Sequence, residues 1–527
     1  MSRGPRIPEV CGALLAEPAV AALGSFVHGA SAVARERWST APAEARLDWE
    51  SGRVELLTAA HAETREAGGE VLPTSDATGP VLVTGHQPAL YHGGVWLKNF
   101  IVDAVCRASG LVGVNVTVDA DLATPEVMLP VLEGQRWRRV PVALPEIGSG
   151  LPWSSQPPLT PAGWRALVGV LRGKLASTLR DTVDAFADCV QAAPAVARAR
   201  TLAESLSRAR RAWEGVSGAP SYLELPLSAM CATHRFRTFV ASVLVRLPEF
   251  WHIHNECLAR YRQVHRIRTG AHPVPDLRRR DDLWETPFWC IHPDGGRAGL
   301  FLERCRTSWK VMSRDAVLGV LADAEPDDWP LALSDMLARG RMALRPRALT
   351  LTMFVRRALA DVFLHGVGGA RYEPLGDEIS TGFFGTAAAP WAVASGSLCV
   401  WGHDGATTDV AGETAREVKR YLRDLQHNPQ RFAPHDDLLA ARKRALVIAL
   451  AAARGVEKRR LNDELDGVDA ALRQQLAPLR AELVRRRAEA EERDGSRAAL
   501  HWRGYPFPLL RPERLRARVE EALEEAR

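Results

Sequence analysis

The densest chemistry in the chain lies in Thr84-Gly85-His86-Gln87-Pro88-Ala89-Leu90-Tyr91-His92-Gly93-Gly94-Val95-Trp96-Leu97-Lys98. Two His six apart, a Gly pair at a helix start and a following Lys are what a phosphate-cradling loop uses. Unpaired backbone N–H groups and the positive end of a helix attract phosphate, while His86, His92 and Lys98 neutralise developing charge. Thr84, Gly85, Gln87, Gly93 and Gly94 are then candidate nucleotide-binding positions. The spacing matches neither the P-loop nor the dinucleotide Gly pattern. An equally weighted reading is a tight strand-to-helix turn with one His capping the helix.

Asp119 and Asp121, with Glu126 beyond, follow the next apolar run. They could steer an amine nucleophile by accepting its proton, or hold a divalent cation through oxygen ligands. Their bland role is helix capping and Asx turns. Gly368-Gly369-Ala370-Arg371-Tyr372-Glu373 supplies a second Gly turn with a carboxylate, or else a helix C-cap with surface charge. His252-x-His254, Cys290-x-His292, His265 and His272 lack a third and fourth ligand at recognisable spacing, so no metal site is expected. Lys310-Val311-Met312-Ser313-Arg314 resembles a mobile adenylation loop but lies between the two Gly turns, and we read it as chance. No Gly-x-Ser-x-Gly elbow, His-Glu-x-x-His helix or kinase signature is present.

The elements that must position these groups follow from pattern. Pro80 to Gly85 is a short apolar run ending in Gly, Val95 to Cys106 has helical spacing, and Leu111 to Val118 is a second apolar run. Residues 80–121 therefore read as one β-α-β unit. Open α/β sheets bind ligands at the carboxyl ends of their strands, where the His and Asp groups sit. Residues 12–70 read as two or three helices, and 161–246 as a helical insertion with a break near 215–220. The aromatic, His-rich stretch 248–310 reads as loop and strand, and Leu349 to Leu364 as an apolar helix leading into the second Gly turn. From 411 to 497 the composition is that of long helices. Leu461, Leu465, Val468, Leu472, Leu476, Leu479 and Leu483 form a seam near 3.67 residues per turn, which predicts a nearly straight or slightly right-handed pairing, with Pro478 kinking or splitting the helix.

Composition excludes several classes. The 527 residues are 46% apolar and 25% charged, which describes a globular chain whose length fits two to four structural units or, equally, one large α/β unit with insertions. The net charge of +5 comes with Asp and Glu almost matching the basic residues, too mild a bias for a nucleic-acid footprint. No apolar run approaches about 18 residues, so no membrane span is expected. Eight Cys without a Cys-x-x-Cys pair argue against a disulfide framework, and we read them as reduced thiols of a cytoplasmic protein.

Taken together, these motifs resemble the bacillithiol biosynthesis cysteine-adding enzymes. Thr84-Gly85-His86-Gln87 matches that family's turn after the first strand, and Gly93-Gly94 lies near its Gly-Pro. Asp119-Ala120-Asp121 and Glu126 match its Asp-His-Asp strand end and following Glu, with Ala120 in place of the His. Leu344-Arg345-Pro346 and Gly368-Gly369 match its Leu-Arg-Pro segment and Gly-Gly turn, with the turn's Glu displaced to Glu373. The likeness covers roughly 80–130 and 340–500. Pro88-x-x-x-His92-Gly93 also resembles the short turn of nucleotidylyl-transfer folds.

The resemblance implies an α/β fold with a Rossmann-like core, similar to nucleotidylyltransferases and class I synthetases, carrying helical insertions and a C-terminal coiled-coil domain. The expected organisation is an N-terminal helical segment over 1–79, a core over 80–410 with an insertion at about 150–247, a coiled coil over 411–500 and a tail over 501–527 folding back on the body. The implied activity is ligation of cysteine to the amino group of a glucosamine-malate conjugate, by a homodimer. His86, His92, Asp119 and Asp121 are the catalytic candidates, and Arg345, Gly368, Gly369, Arg371 and Glu373 join the loop 84–98 as binding candidates. Amide formation needs an activated carboxyl, for which ATP or another adenine nucleotide with Mg²⁺ would serve. The rivals are a nucleotidylyltransferase of the same core and a catalytically silent, metabolite-binding assembly protein.

Overall fold

Val81–His86 and Val112–Thr117 are short Val-rich runs buried along most of their length, as expected of strands covered on both sides. The computed structural model describes residues 5–40, 43–69, 79–401 and 413–525; the boundary expected at 410/411 lies outside them. Those two strands pair in parallel, Val81 opposite Val112 through His86 opposite Thr117. The helix Gly93–Ser109 joins them, capped by His92 at its start and by Gly110 in the left-handed region (φ 64°) at its end. The β-α-β unit expected over 80–121 is therefore present.

The fold is mixed α/β, and this unit sits inside a six-stranded sheet. Across it the order is Leu14–Glu17, Trp391–Gly396, Val362–His365, Val81–His86, Val112–Thr117, Leu223–Pro226. All neighbours are parallel except Leu14–Glu17, which runs antiparallel along the edge. A second, antiparallel sheet orders Ala316–Ala322, Ser308–Ser313, Arg297–Arg304, Leu283–Ile291 and Ala343–Pro346. Lys310 lies in one of its strands, paired with Glu303 at 2.8 Å, rather than in a mobile loop.

Several expectations are corrected. Leu14–Glu17 is a strand ahead of the helices Val20–Ser39 and Ala43–Glu66. Leu223–Pro226, inside the expected helical insertion, is the far strand of the sheet. The apolar stretch read as one helix ends at Ala358, and Val362–His365 is a strand. Four buried residues carry too little periodicity to separate strand from helix. Conversely, Leu247–Val264 is a helix within the stretch read as loop and strand. Cys11 and Cys399 form a disulfide, with Cα atoms 5.7 Å apart, leaving six free thiols. Its cause is register: Leu14 pairs antiparallel with Gly396, so the residues three before and three after meet.

The chain divides into two compact units. The larger holds both of these sheets and residues up to 129, 141–402 and 503–527; the smaller holds 130–140 and 403–502. In the smaller unit, Ala415–His427 packs on Ala477–Leu500 through Val418, Leu425, Leu476, Leu483 and Ala490. Leu438–Ala452 packs on Gly455–Gln475 through Leu446, Ala453 and Leu461. The 461–483 seam is thus satisfied within the chain, and Pro478 splits it into two helices at Leu476. Among the described residues no helix is long and apolar enough to cross a membrane.

Candidate functional site

The main sheet reverses its winding between Val81–His86 and Val362–His365: the chain continues to Val112–Thr117 on one side and to Trp391–Gly396 on the other. The strand ends flanking such a reversal form a crevice. Here Lys98, on the second turn of the Gly93–Ser109 helix, sends Nζ back to the Gly85 carbonyl at 2.9 Å. It is 3% exposed, and burial lowers its pKa to about 8. Among the described residues no carboxylate pairs with it. Arg503 adds a second cation whose charge acts on His92; its Nη1 is buried without a hydrogen-bond partner.

Three imidazoles surround this charge, and all are held neutral. Burial, then the charge of Lys98, lowers His86 to about 3; burial, then Arg503 and Lys98, lowers His92 to about 4. Burial and Lys98 also push His365 well down. His92 Nδ1 accepts the Gly94 N–H at 3.1 Å, so its proton sits on Nε2. The capping reading of His92 therefore holds, and His86 and His92 are held neutral rather than acting as the charged groups expected. His365 Nε2 lies 3.2 Å from Glu373 Oε1 without hydrogen-bond geometry, while Arg356 engages the other Glu373 oxygen.

Lys98 makes a pH prediction. Folded, it keeps its proton to about pH 8; unfolded, to about 10.4. Between those values the unfolded state binds more protons, so this group's contribution to stability rises with pH across the window. The gap in thermal midpoint between Lys98→Met and wild type should therefore narrow from pH 8 to about 10.4. A constant gap in a thermal-unfolding series would refute the assignment.

The glycines serve packing. A Cβ on Gly94 would strike the Gly396 carbonyl, one on Gly93 would lie 2.5 Å from the Leu510 side chain, and one on Gly85 would lie 2.7 Å from the Val116 carbonyl. Gly93 and Gly94 are thus closed by the sheet and the tail and do not form an open cradle. Thr84 Oγ1 donates to the Leu364 carbonyl at 2.9 Å and braces the two central strands. Gly94→Ala should cost about 1–3 kcal/mol, read as a lower midpoint in denaturant, because the backbone opposite cannot yield.

A cavity of about 360 Å³ opens beside this crevice, at the ends of Val112–Thr117 and Leu223–Pro226. Asp119 forms part of its wall. Its carboxyl accepts the Ser228 N–H at 3.1 Å and also the Ser228 hydroxyl. Burial raises its pKa, opposed by the Arg345 charge and the Ser228 bonds. Arg345 donates Nη1 to the Leu344 carbonyl at 2.8 Å, and its Nε is buried without a partner. Ser154, Ser155, the Arg208–Glu204 pair (2.9 Å), Glu63, Arg200 and Glu224 add to the polar lining. Crevice and cavity are tied together: Gln87 Nε2 donates to Asp121 at 2.7 Å, and Arg297 holds the other Asp121 oxygen at 3.1 Å.

Of the sequence candidates, Gly85, His86, His92, Lys98 and Glu373 gather at the crevice, Asp119 and Arg345 at the cavity, and Gln87 and Asp121 between them. Gly368, Gly369 and Arg371 are exposed; a Cβ on Gly369 would lie 2.8 Å from His365 Nδ1, and the Arg371 carbonyl accepts the Tyr261 hydroxyl at 2.8 Å. Among the described residues no group of three or more His, Cys, Asp or Glu is placed to hold a metal ion. Sequence reasoning missed Arg503, Ser228 and Arg297 and left His365 as a turn residue. Reading Leu223–Pro226 as a strand would have exposed Ser228; Arg503 had no local signal. No family model matches this chain, and a search of curated proteins finds no match to it.

Proposed function

We propose that the protein is an ATP-dependent ligase that forms an amide between an amino acid, cysteine in the first instance, and a small amine. One observation carries the reading: at the carboxyl ends of the strands, a crevice whose Lys98 and Arg503 have no carboxylate partner among the described residues adjoins a mixed-charge cavity with a buried carboxyl and a guanidinium. We read the sheet as Rossmann-like on its strand order and on the Thr84–Gln87, Asp119–Asp121 and Leu344–Pro346 motifs. Lys98 and Arg503 attract the phosphates of an adenine nucleotide, with Mg²⁺, that supplies the leaving group. The cavity takes the acceptor, with Arg345 on its carboxylate and its amine facing Asp119. The amine nitrogen bonds to the acyl carbon, the phosphate or nucleotide leaves with the bonding pair, and Asp119 takes the amine proton.

The same proposal includes a homodimer. Leu438, Ala441, Ala445, Ile448 and Ala452 are exposed on one helix at steps of 3, 4, 3 and 4, a coiled-coil seam open to the same helix of a second copy. The six free thiols suit a cytoplasmic setting, in which the Cys11–Cys399 bond would open.

The test is incubation of the full chain with cysteine, ATP, Mg²⁺ and an extract of source-cell amines, followed by mass spectrometry. A product heavier than an amine by cysteine less water supports the reading. Pyrophosphate release with no amine requirement would replace it with nucleotidylyl transfer. Absence of both, with cellular thiols unchanged on deletion and a partner complex lost, would replace it with the assembly role.

A further inference from the structure

The amino ends of the central strands, opposite the crevice, carry a second cavity of about 220 Å³. Its walls come from the last turn of Val20–Ser39, the first turns of Ala43–Glu66, the end of Ala348–Ala358 and the loop before Trp391. Trp38 and Trp49 stack there, with ring centres 5.4 Å apart and planes 17° apart. Arg37 and Arg357 line the same space. Arg37 donates to the Ala387 carbonyl at 2.8 Å, and Arg357 to the Thr386 carbonyl and hydroxyl at 3.0 and 3.1 Å.

Charge distinguishes this cavity from a packing defect. The other charged groups in the wall are spoken for: Arg356 by Glu373 and Asp377, and Asp361 by Arg53 at 2.6 Å. Arg235, whose charge also reaches Arg357, is paired with Asp48. Among the described residues no carboxylate pairs with Arg37 or Arg357, so two guanidiniums face a void with only carbonyl and hydroxyl partners. Arg357 is half-buried over the face of Phe384, 4.1 Å from its centre. Burial, then the charges of Arg37 and Arg235, lowers its pKa to about 10. A guanidinium is placed against like charge at a cost unless an anion arrives, and its planar fork suits carboxylate and phosphate.

We infer that this cavity is a binding site for a small aromatic anion, in which Arg37 and Arg357 hold a carboxylate or phosphate and the Trp38–Trp49 wall covers the ring. It is separate from the proposed ligase site, which lies at the other end of the strands. Its volume suits a single ring with one acidic group rather than a full nucleotide.

Calorimetric titration of the full chain with phenyl phosphate and benzoate tests the inference, with inorganic phosphate and phenol as partial probes. Saturable binding of the aromatic anions is expected, at least tenfold tighter than either partial probe. Arg37→Gln, on an exposed side chain, and Arg357→Gln should each weaken it tenfold or more, Arg357→Lys should weaken it less, and Lys98→Met should leave it unchanged. No saturable binding, equal binding of inorganic phosphate, or loss in Lys98→Met with retention in Arg37→Gln would each overturn it. A folded Arg37→Gln chain keeps the test valid should Arg357→Gln fail to fold.

Discussion

Lys98→Met is expected to lower kcat/KM for the amide-forming reaction by about 10²–10³-fold while raising the thermal midpoint of the ligand-free chain. The opposite signs have one cause. An ammonium 3% exposed with no carboxylate partner among the described residues is held at a cost; the fall of its pKa from 10.5 to about 8 corresponds to on the order of 3 kcal/mol at neutral pH. Methionine keeps most of the side-chain volume and removes that cost, at the loss of one bond to the Gly85 carbonyl. Steady-state kinetics and unfolding on the same preparation separate the alternatives. If Lys98 only braced the loop, activity and midpoint would fall together.

Asp119→Asn is expected to lower kcat by about 10²–10⁴-fold with the midpoint within a few degrees of wild type. Asparagine can still accept the Ser228 N–H through its carbonyl oxygen, so the turn survives, but it cannot take a proton from an amine. Ser228→Ala supplies the second half of the argument. The two Ser228 bonds favour the charged carboxylate, so losing the hydroxyl raises the Asp119 pKa further, and the acid limb of the kcat/KM profile moves to higher pH. An unmoved limb would mean that Asp119 is not the titrating base. Parallel loss of kcat and midpoint in Asp119→Asn would assign the residue to capping alone.

What could be read from the residues follows the range of the interactions. The β-α-β unit over 80–121 was legible because its apolar runs, its Gly and its helical spacing all act locally. Asp119 and Arg345 were found through motifs, yet their meeting in one cavity depends on Leu223–Pro226 and Ala343–Pro346, strands of four residues whose pattern is too short to separate from helix. His92 was legible as a cap for the same local reason. Gly93 and Gly94 were misjudged because a glycine kept for a close neighbour and one kept for a ligand look alike in sequence; here the neighbours are Leu510 and Gly396, hundreds of residues away. The Cys11–Cys399 pair and Arg503 were invisible for that reason too, being products of register and of the tail's return.

That return has a consequence for how the chain is made. Phe507 N–H bonds to the Tyr91 carbonyl at 2.8 Å, its ring packs on Trp96 and Tyr91, and the Leu510 carbonyl takes the Trp213 indole N–H at 3.1 Å. These partners are separated by roughly 400 residues in the first two cases, so at about 5–20 residues per second the ribosome reaches the tail on the order of tens of seconds after Trp96. For most of that interval residues 141–402 of the larger unit are being made, and 403–502 of the smaller unit follow, while the Tyr91–Trp96 face stands uncovered and the crevice lacks Arg503. The nascent larger unit is therefore a candidate for chaperone retention, and the cationic crevice is among the last features of the molecule to be completed.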